Sequence, residues 1–594
     1  MTTKDIEEFA VTEVKKAILK SGYLEQYVSE NDRGPSYDGQ IYIYNNKEKK
    51  KKDFVGSVSV LVKGTLVESL PQENTKFDVS VVDAKNYLAT GGVIYFVVCL
   101  TTDFQHKIYY QALTPIKLYG FLEEAKEQQT KRIQFIPFPE NGERQAEIFS
   151  NFYQDSRKQH SFSEENMISA DELKKAKDIV SISTSITRYG NRTNERSLLE
   201  NEVYLYATKK GVDVKIPIKI IPQEMFIEEN PTIVVSSNGK FFYTSVRRIK
   251  TKTGTRIIIG KSVSFFLNNE NDNTPIKINY QLCDNLKNQV VDLDFFINMI
   301  TSGEFSLNDK KIKLNVEEFK ETLDFALLQK QLECIKKIKA VFDILHIEKD
   351  LKTSTLDTSD KTRLSELVTA FYDKQIVRNW REDLPYIIRI KVQNIHILLI
   401  AKRVEGEAGA YRVSDFFAGE LVSAYNLPEN GEEHVAPIYA ILKADDYCQI
   451  DNVYYEGIVS TYQSIYEKDP LVLERATLDM LNIIKAFDKT GNKKQWEIAA
   501  NLCDWIAEKE GDNVKFVTIL NKLQLIRRRR QLSEKEKDTL YCIIEDGNST
   551  IEEKIGAYIL LGNRRMARLH LQKLEIEQQK HFKEYPIYKR FYSK

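Results

Sequence analysis

The sequence predicts a multidomain α+β protein: an α/β domain at the N-terminus, β-rich modules in the middle and an array of helical hairpins at the C-terminus. Three observations carry that expectation. Val93 to Leu100 is apolar without alternation, the pattern of a strand covered on both faces at the centre of an α/β sheet. Between 196 and 290, short β-branched and aromatic runs alternate with turn signals, of which Asn238-Gly239 is the clearest hairpin dipeptide. From 465 onward apolar residues recur at helical spacing, in units of about 15 to 20 residues.

At 594 residues the chain is longer than one core usually serves, and about three to five domains are expected. Composition shifts mark an α/β domain at 1–120, a helical and polar linker at 121–195 and a β-rich domain at 196–315. A pair of long helices at 316–380, a second strand-containing module at 381–462 and the helical-hairpin domain at 463–594 complete it. A hydrophobic fraction of 42% excludes a largely disordered chain. Lys+Arg and Asp+Glu both total 86, so nothing draws the whole molecule to nucleic acid and any basic face is local. The six cysteines stand far apart with no CxxC pair, which fits a reducing compartment and excludes a zinc ribbon. The first residues carry no apolar signal core, and the longest apolar run, Gly92 to Leu100, is far short of the ~20 residues of a membrane helix. A cytoplasmic protein without a membrane partner is expected.

Taken in order, Ile6, Ala10, Val14, Ala17 and Ile18 form one stripe of a helix over residues 4–20, with Glu13 at the stripe's edge. Asp38 to Tyr44 alternates, with Ile41 and Ile43 on one face and Asp38, Gln40, Tyr42 and Tyr44 on the other. Lys49, Lys50, Lys51 and Lys52 lie in the following connection, either a solvated turn or a contact for a phosphate backbone. In the next strand Val58, Val60 and Val62 share one face, and Ser57, Ser59, Leu61 and Lys63 the other. A helix over Val82 to Leu88 and the strands Val93–Leu100 and Ile108–Leu113 close the domain.

Metal-dependent phosphodiester hydrolysis needs carboxylates to hold a divalent cation, and a cation to stabilise the attacking water and the developing charge. An isolated Asp followed by an acid-x-Lys triplet supplies both, because residues i and i+2 of a strand meet the same phosphate. Here the triplet is Leu61-Val62-Lys63, without the acid.

On Asp38-Gly39, Val62-Lys63-Gly64 and the downstream strands, residues 4–118 resemble the PD-(D/E)XK nuclease superfamily, and more narrowly an uncharacterised bacterial branch common in defence islands and mobile elements. Leu61 stands where that branch has Gln or Glu, and Tyr42 where some members carry another acid. The resemblance implies a restriction-endonuclease-like domain acting on nucleic acid. Asp38 would be the ligand of Mg2+ or Mn2+, Lys63 the charge-stabilising cation and Glu13 a third catalytic member. The alternative is a non-catalytic sensor or scaffold of a defence complex that keeps the fold for binding or assembly.

Residues 121–132 read as a charged helix, Asn151 to Asn166 as a polar linker, and Asp171 to Lys177 as a short helix. Gly254 to Ser262 spaces its glycines one residue too far for a phosphate loop and has a β-branched interior, so it reads as a hairpin strand. Asn315 with Glu318 caps a long amphipathic helix over 316–348, followed by another over Lys361 to Gln375. Strands return at Tyr386–Lys391, His396–Ala401, Val435–Leu442 and Tyr454–Ile458, with His396 and His434 as ordinary strand histidines. Gly562 to Ala567 with Leu569, Leu571 and Leu574 resembles half of a tetratricopeptide repeat, an architecture that binds protein partners or mediates self-association. Arg527 to Arg530 end one helix, where cations suit the dipole.

Overall fold

The computed structural model describes residues 1–28, 36–220, 225–268, 277–316, 323–418, 422–426 and 433–592. The chain divides into two compact units, one of residues 1–235, 243–259 and 264–279, the other of 236–242, 260–263 and 280–594.

The first unit is built on a seven-stranded sheet. Its elements are α1 (Thr3–Leu19), β1 (Leu24–Val28), β2 (Gly39–Tyr44), β3 (Phe54–Leu66), β4 (Thr75–Ser80), α2 (Val81–Ala89), β5 (Val93–Leu100), β6 (His106–Leu113), α3 (Pro115–Ala125), β7 (Thr130–Pro137) and α4 (Gly142–His160). The strand order is β1-β2-β3-β5-β6-β7-β4. β3 and β5 run parallel, from Val60 beside Ile94 to Leu66 beside Leu100, and the pairs β1–β2, β2–β3 and β5–β6 are antiparallel. A parallel pair needs a crossover, which β4 and α2 supply.

Two cores flank this sheet. On one face Ala10, Val11, Val14 and Ile18 of α1 and Phe149 and Phe152 of α4 pack against Val58, Val60, Val62, Ile94 and Phe96. On the other, Ala84 and Tyr87 of α2 and Leu118 and Phe121 of α3 pack against Leu61, Tyr95, Val97 and Phe135. Every residue of β5 is buried, as its unbroken apolar run predicts. At Gly64 the helix α1 comes so close that a side chain there would meet Ile6 Cγ2 and Ile6 O at 2.7 Å.

The sheet and its core run on past residue 120. The charged helix expected over 121–132 ends at Ala125 and gives way to β7, which pairs with β4 through Phe77 beside Ile133. The linker expected over Asn151 to Asn166 is for most of its length the helix α4, whose inward side is itself polar. Further on in this unit, Ile179–Ser183, Tyr206–Lys209 and Ile216–Pro217 form a small sheet, and Ile227–Glu229, Arg247–Lys250 and Gly254–Ile259 pair antiparallel. Gly254–Ile259 is thus the hairpin strand its composition predicts.

In the second unit the helix expected over 316–348 is shorter among the described residues, Phe325–Ile344, with Asp324 as its cap accepting the Leu327 N–H; the Asn315–Glu318 cap lies partly outside the described residues. The helix expected over Lys361 to Gln375 spans Thr358–Leu367 and continues as a π-turn to Tyr372. Ile387–Val392, Ile395–Arg403 and Tyr411–Asp415 form a three-stranded sheet. The strand expected over Tyr454–Ile458 is instead the entry to a helix, Gly457–Tyr466, because Ile458, Tyr462 and Ile465 bury one face at helical spacing. Helices then continue to the end of the described chain. Val472–Thr490 with Lys493–Glu510, and Ile551–Leu561 with Arg564–Leu571, are hairpins whose turns carry Gly491 and Gly562 in the left-handed region at φ 70° and 80°. Ala567 is buried in that second hairpin. No helix of the described residues is long and apolar enough to cross a membrane.

Candidate functional site

Asp38 lies immediately before β2, and Gly39 explains why the chain can turn there. Gly39 has φ +151°, and a Cβ would meet Tyr27 O at 2.2 Å. The Asp38 amide donates to Val60 O at 3.0 Å, and Asp38 Oδ2 accepts the Val62 N–H at 2.7 Å. The carboxylate thus continues the β2–β3 ladder with a side chain where no further β2 carbonyl is in place. It stands beside the residue that precedes Lys63.

Leu61 and Lys63 project from one face of β3, and their surroundings differ sharply. Leu61 is 6% exposed and belongs to the α2/α3 core, with Tyr95 beside it on β5. Lys63 is half-buried, and its ammonium makes no hydrogen bond or ion pair among the described residues. Burial first, and then the charges of Asp83 and Asp38, push the Tyr95 phenol above the ordinary tyrosine range. Asp83, in the first turn of α2, accepts a hydrogen bond from Ser36 Oγ at 2.9 Å. It is a second carboxylate close to Tyr95, and its only mark in the sequence is a place near the start of a short helix.

Glu13 lies elsewhere. It is 9% exposed on α1, with Lys16 Nζ at 2.8 Å from Oε1 and His106 Nε2 at 3.2 Å from Oε2. α1 covers the Val58–Val60–Val62 face, so Glu13 sits across the sheet from Lys63. The structure therefore sets Asp38 against Val62, the residue before Lys63, and leaves Glu13 apart. Among the described residues, no group of three or more His, Cys, Asp or Glu side chains is placed to hold a metal ion.

The lysine run is divided between local contacts and solvent. Lys49 Nζ donates to Leu24 O and Lys50 pairs with Glu48. Lys51 and Lys52, in the 3-10 turn Lys51–Asp53, are exposed, and their side chains have no partner among the described residues. Arg527 to Arg530 are all engaged within the helical array. Arg527 Nη1 donates to Ile559 O at 2.6 Å, Arg528 pairs with Asp488 at 2.7 Å, Arg529 lies over Trp496 and Arg530 pairs with Glu536. His396 and His434 belong to different sheets, and His434 Nδ1 lies 2.8 Å from Asp469 Oδ2.

Two further features escaped the sequence reading. Tyr27, Tyr42 and Phe54 form a row across β1, β2 and the start of β3, with ring centroids 4.5 Å and 5.5 Å apart. In the second unit an apolar-walled cavity of about 620 Å³ is lined by Leu293, Cys334, Ile338 and Leu364, among others. Comparison with protein-family models, with curated proteins and with solved structures finds no match.

Proposed function

We propose that the chain is a nucleic-acid-binding component of a bacterial antiviral-defence or mobile-element system, in which the N-terminal sheet keeps a nuclease-like form for binding and assembly without cutting. The observation that carries this reading is the contrast between positions 61 and 63. Leu61 is packed into the core where metal chemistry would ask for a carboxylate, while Lys63 remains half-exposed and unpaired among the described residues. Losing the acid removes a metal ligand, whereas keeping the lysine preserves a contact for phosphate.

The nuclease-like part of the reading is supported by the order helix, four strands, helix, strand. In it β1, β2, β3 and β5 are neighbours, β3 is parallel to β5, Asp38 heads β2 and the triplet lies on β3. The hairpins of the C-terminal array supply surfaces for a protein partner or for self-association.

One observation favours cleavage as a second reading. Asp38 and Asp83 both act electrostatically on Tyr95, the β5 neighbour of Leu61 on the face that Lys63 shares. These residues offer at most a two-carboxylate site for Mg2+ or Mn2+, with Asp38 as ligand and Lys63 as the cation.

The test incubates the full chain with labelled single- and double-stranded DNA and RNA, with Mg2+ or Mn2+, alongside Lys63→Ala and Asp38→Asn. The expected result is retention of intact nucleic acid, weakened about fivefold by Lys63→Ala for one lost phosphate contact. Metal-dependent degradation abolished by Asp38→Asn replaces this reading with the nuclease. A parent chain that retains no nucleic acid removes both.

A further inference from the structure

We infer that the open face of β1, β2 and β3 is a stacking platform for single-stranded nucleic acid, with Tyr27, Tyr42 and Phe54 receiving bases and Lys51 and Lys52 the phosphates. The inference rests on the nucleic-acid reading above and narrows it to single strands.

Tyr42 lies opposite Ser57 and Glu25 in the ladder, and Tyr27 lies two residues beyond Glu25, so Tyr27 and Tyr42 share the sheet face of Ser57, Ser59, Leu61 and Lys63. Towards β5, β6 and β7 that face is covered by α2 and α3, but their core takes no residue from β1 or β2. The rings beyond the cover stand in water: Tyr27 is 53% exposed, Phe54 is 46% exposed, and Tyr42 between them is half-buried. Contiguous exposed aromatics on adjacent strands offer π-faces at about the spacing over which bases of a splayed strand can stack.

Charge points to the same occupant. Lys51 and Lys52 open the 3-10 turn that ends at Asp53, next to Phe54, and Lys63 lies further along β3 beyond Leu61. Two acids stand at this row: Asp53, next to Phe54, and Glu25, whose Oε2 accepts the Tyr44 hydroxyl at 2.7 Å. Ser57, Ser59 and Gln40 add neutral hydrogen-bonding groups between the rings and Lys63. A duplex keeps its bases stacked internally and offers this row only its backbone, which selects a single strand.

The test measures fluorescence anisotropy of labelled oligo-dT and oligo-U of about 15 nucleotides, a length in the range of single-strand sites, and of a duplex of the same length. It uses the full chain and Tyr27→Ala, Tyr42→Ala, Phe54→Ala, Phe54→Trp and Lys63→Ala, each first shown to melt like the parent. Single strands are expected to bind tighter than the duplex. Each ring truncation is expected to weaken them by about 5- to 100-fold with little effect on the duplex, and Phe54→Trp to retain binding. The oligo-dT and oligo-U arms tell DNA from RNA. Ring variants that bind like the parent, while Lys63→Ala weakens binding, overturn the platform and leave the nucleic-acid reading standing. A change in sedimentation in place of binding overturns it in favour of a protein surface. A parent that binds no oligonucleotide overturns the reading beneath it.

Discussion

Asp38 has a structural duty whatever its chemistry, because its carboxylate is the acceptor for the fully buried Val62 N–H. Asp38→Ala orphans that donor and is expected to cost about 1–3 kcal/mol in urea denaturation, whereas Asp38→Asn keeps an acceptor oxygen and costs less. Equal losses for the two would show that the hydrogen bond is not what Asp38 contributes. Only the Asn variant therefore separates loss of chemistry from loss of fold. Asp155 on α4 presents a different case. It is 3% exposed, its Oδ1 accepts the Tyr206 hydroxyl at 2.6 Å, and burial pushes its pKa up to about 6 against that hydrogen bond and the nearby Lys158. An acid whose folded pKa lies above its unfolded one holds more protons when folded, so its contribution is greatest at low pH. It is lost as the pH rises from about 4 to about 6, by about 3 kcal/mol, and is constant above. Asp155→Asn removes that ionisation, so its stability relative to the parent should rise between pH 4 and pH 6. Parallel curves for the two proteins over that window would refute the assignment.

At the scale of elements, α4 shows how a helix escapes a sequence reading. Its inward side includes Gln145, Glu147, Ser150, Asn151, Asp155 and Gln159, so an apolar stripe marks only part of it and its second half resembles a linker. What makes these residues tolerable inside is partners distant in sequence. Glu147 is fully buried and receives Arg192 Nε at 2.9 Å, Ser197 Oγ at 2.7 Å and Asn201 Nδ2 at 2.9 Å. Removing one member strands the others, and Glu147→Ala is expected to cost about 3 kcal/mol in chemical denaturation. A loss within about 0.5 kcal/mol, the range of an ordinary surface change, would show that the network is not holding α4 in place. β5, by contrast, was legible because its burial comes from its own apolar run, and β3 because alternation assigned Val62 and Lys63 to opposite faces before any contact was known. Alternation could not say which face α1 would cover, which is why Glu13 was grouped with Lys63 and lies across the sheet from it. The aromatic row was half visible in Tyr42. Its other members became neighbours only through the β1–β2 register and the shift in pairing at Ile43 and Tyr44.

For the whole molecule, balanced charge makes the reach of electrostatics a measurable quantity. With 86 basic and 86 acidic residues there is no net field to draw a polyanion, and the most basic run of the C-terminal array, Arg527 to Arg530, is engaged by Ile559, Asp488, Trp496 and Glu536. The proposed platform has Lys51, Lys52 and Lys63 as its cations. Each phosphate neutralised on a single strand contributes about 0.7 to the dependence of log K on log salt, so three contacts give a slope of about −2. Anisotropy titrations of oligo-dT across a range of salt should return that value, and Lys51→Ala and Lys52→Ala should each reduce it by about 0.7 while leaving the contribution of the rings intact. Ring truncation should do the reverse, lowering affinity at every salt concentration by the same factor, because stacking releases no counterions. A slope of about −5 or steeper would require a basic surface several times larger than this face provides, and would move the binding site elsewhere on the chain.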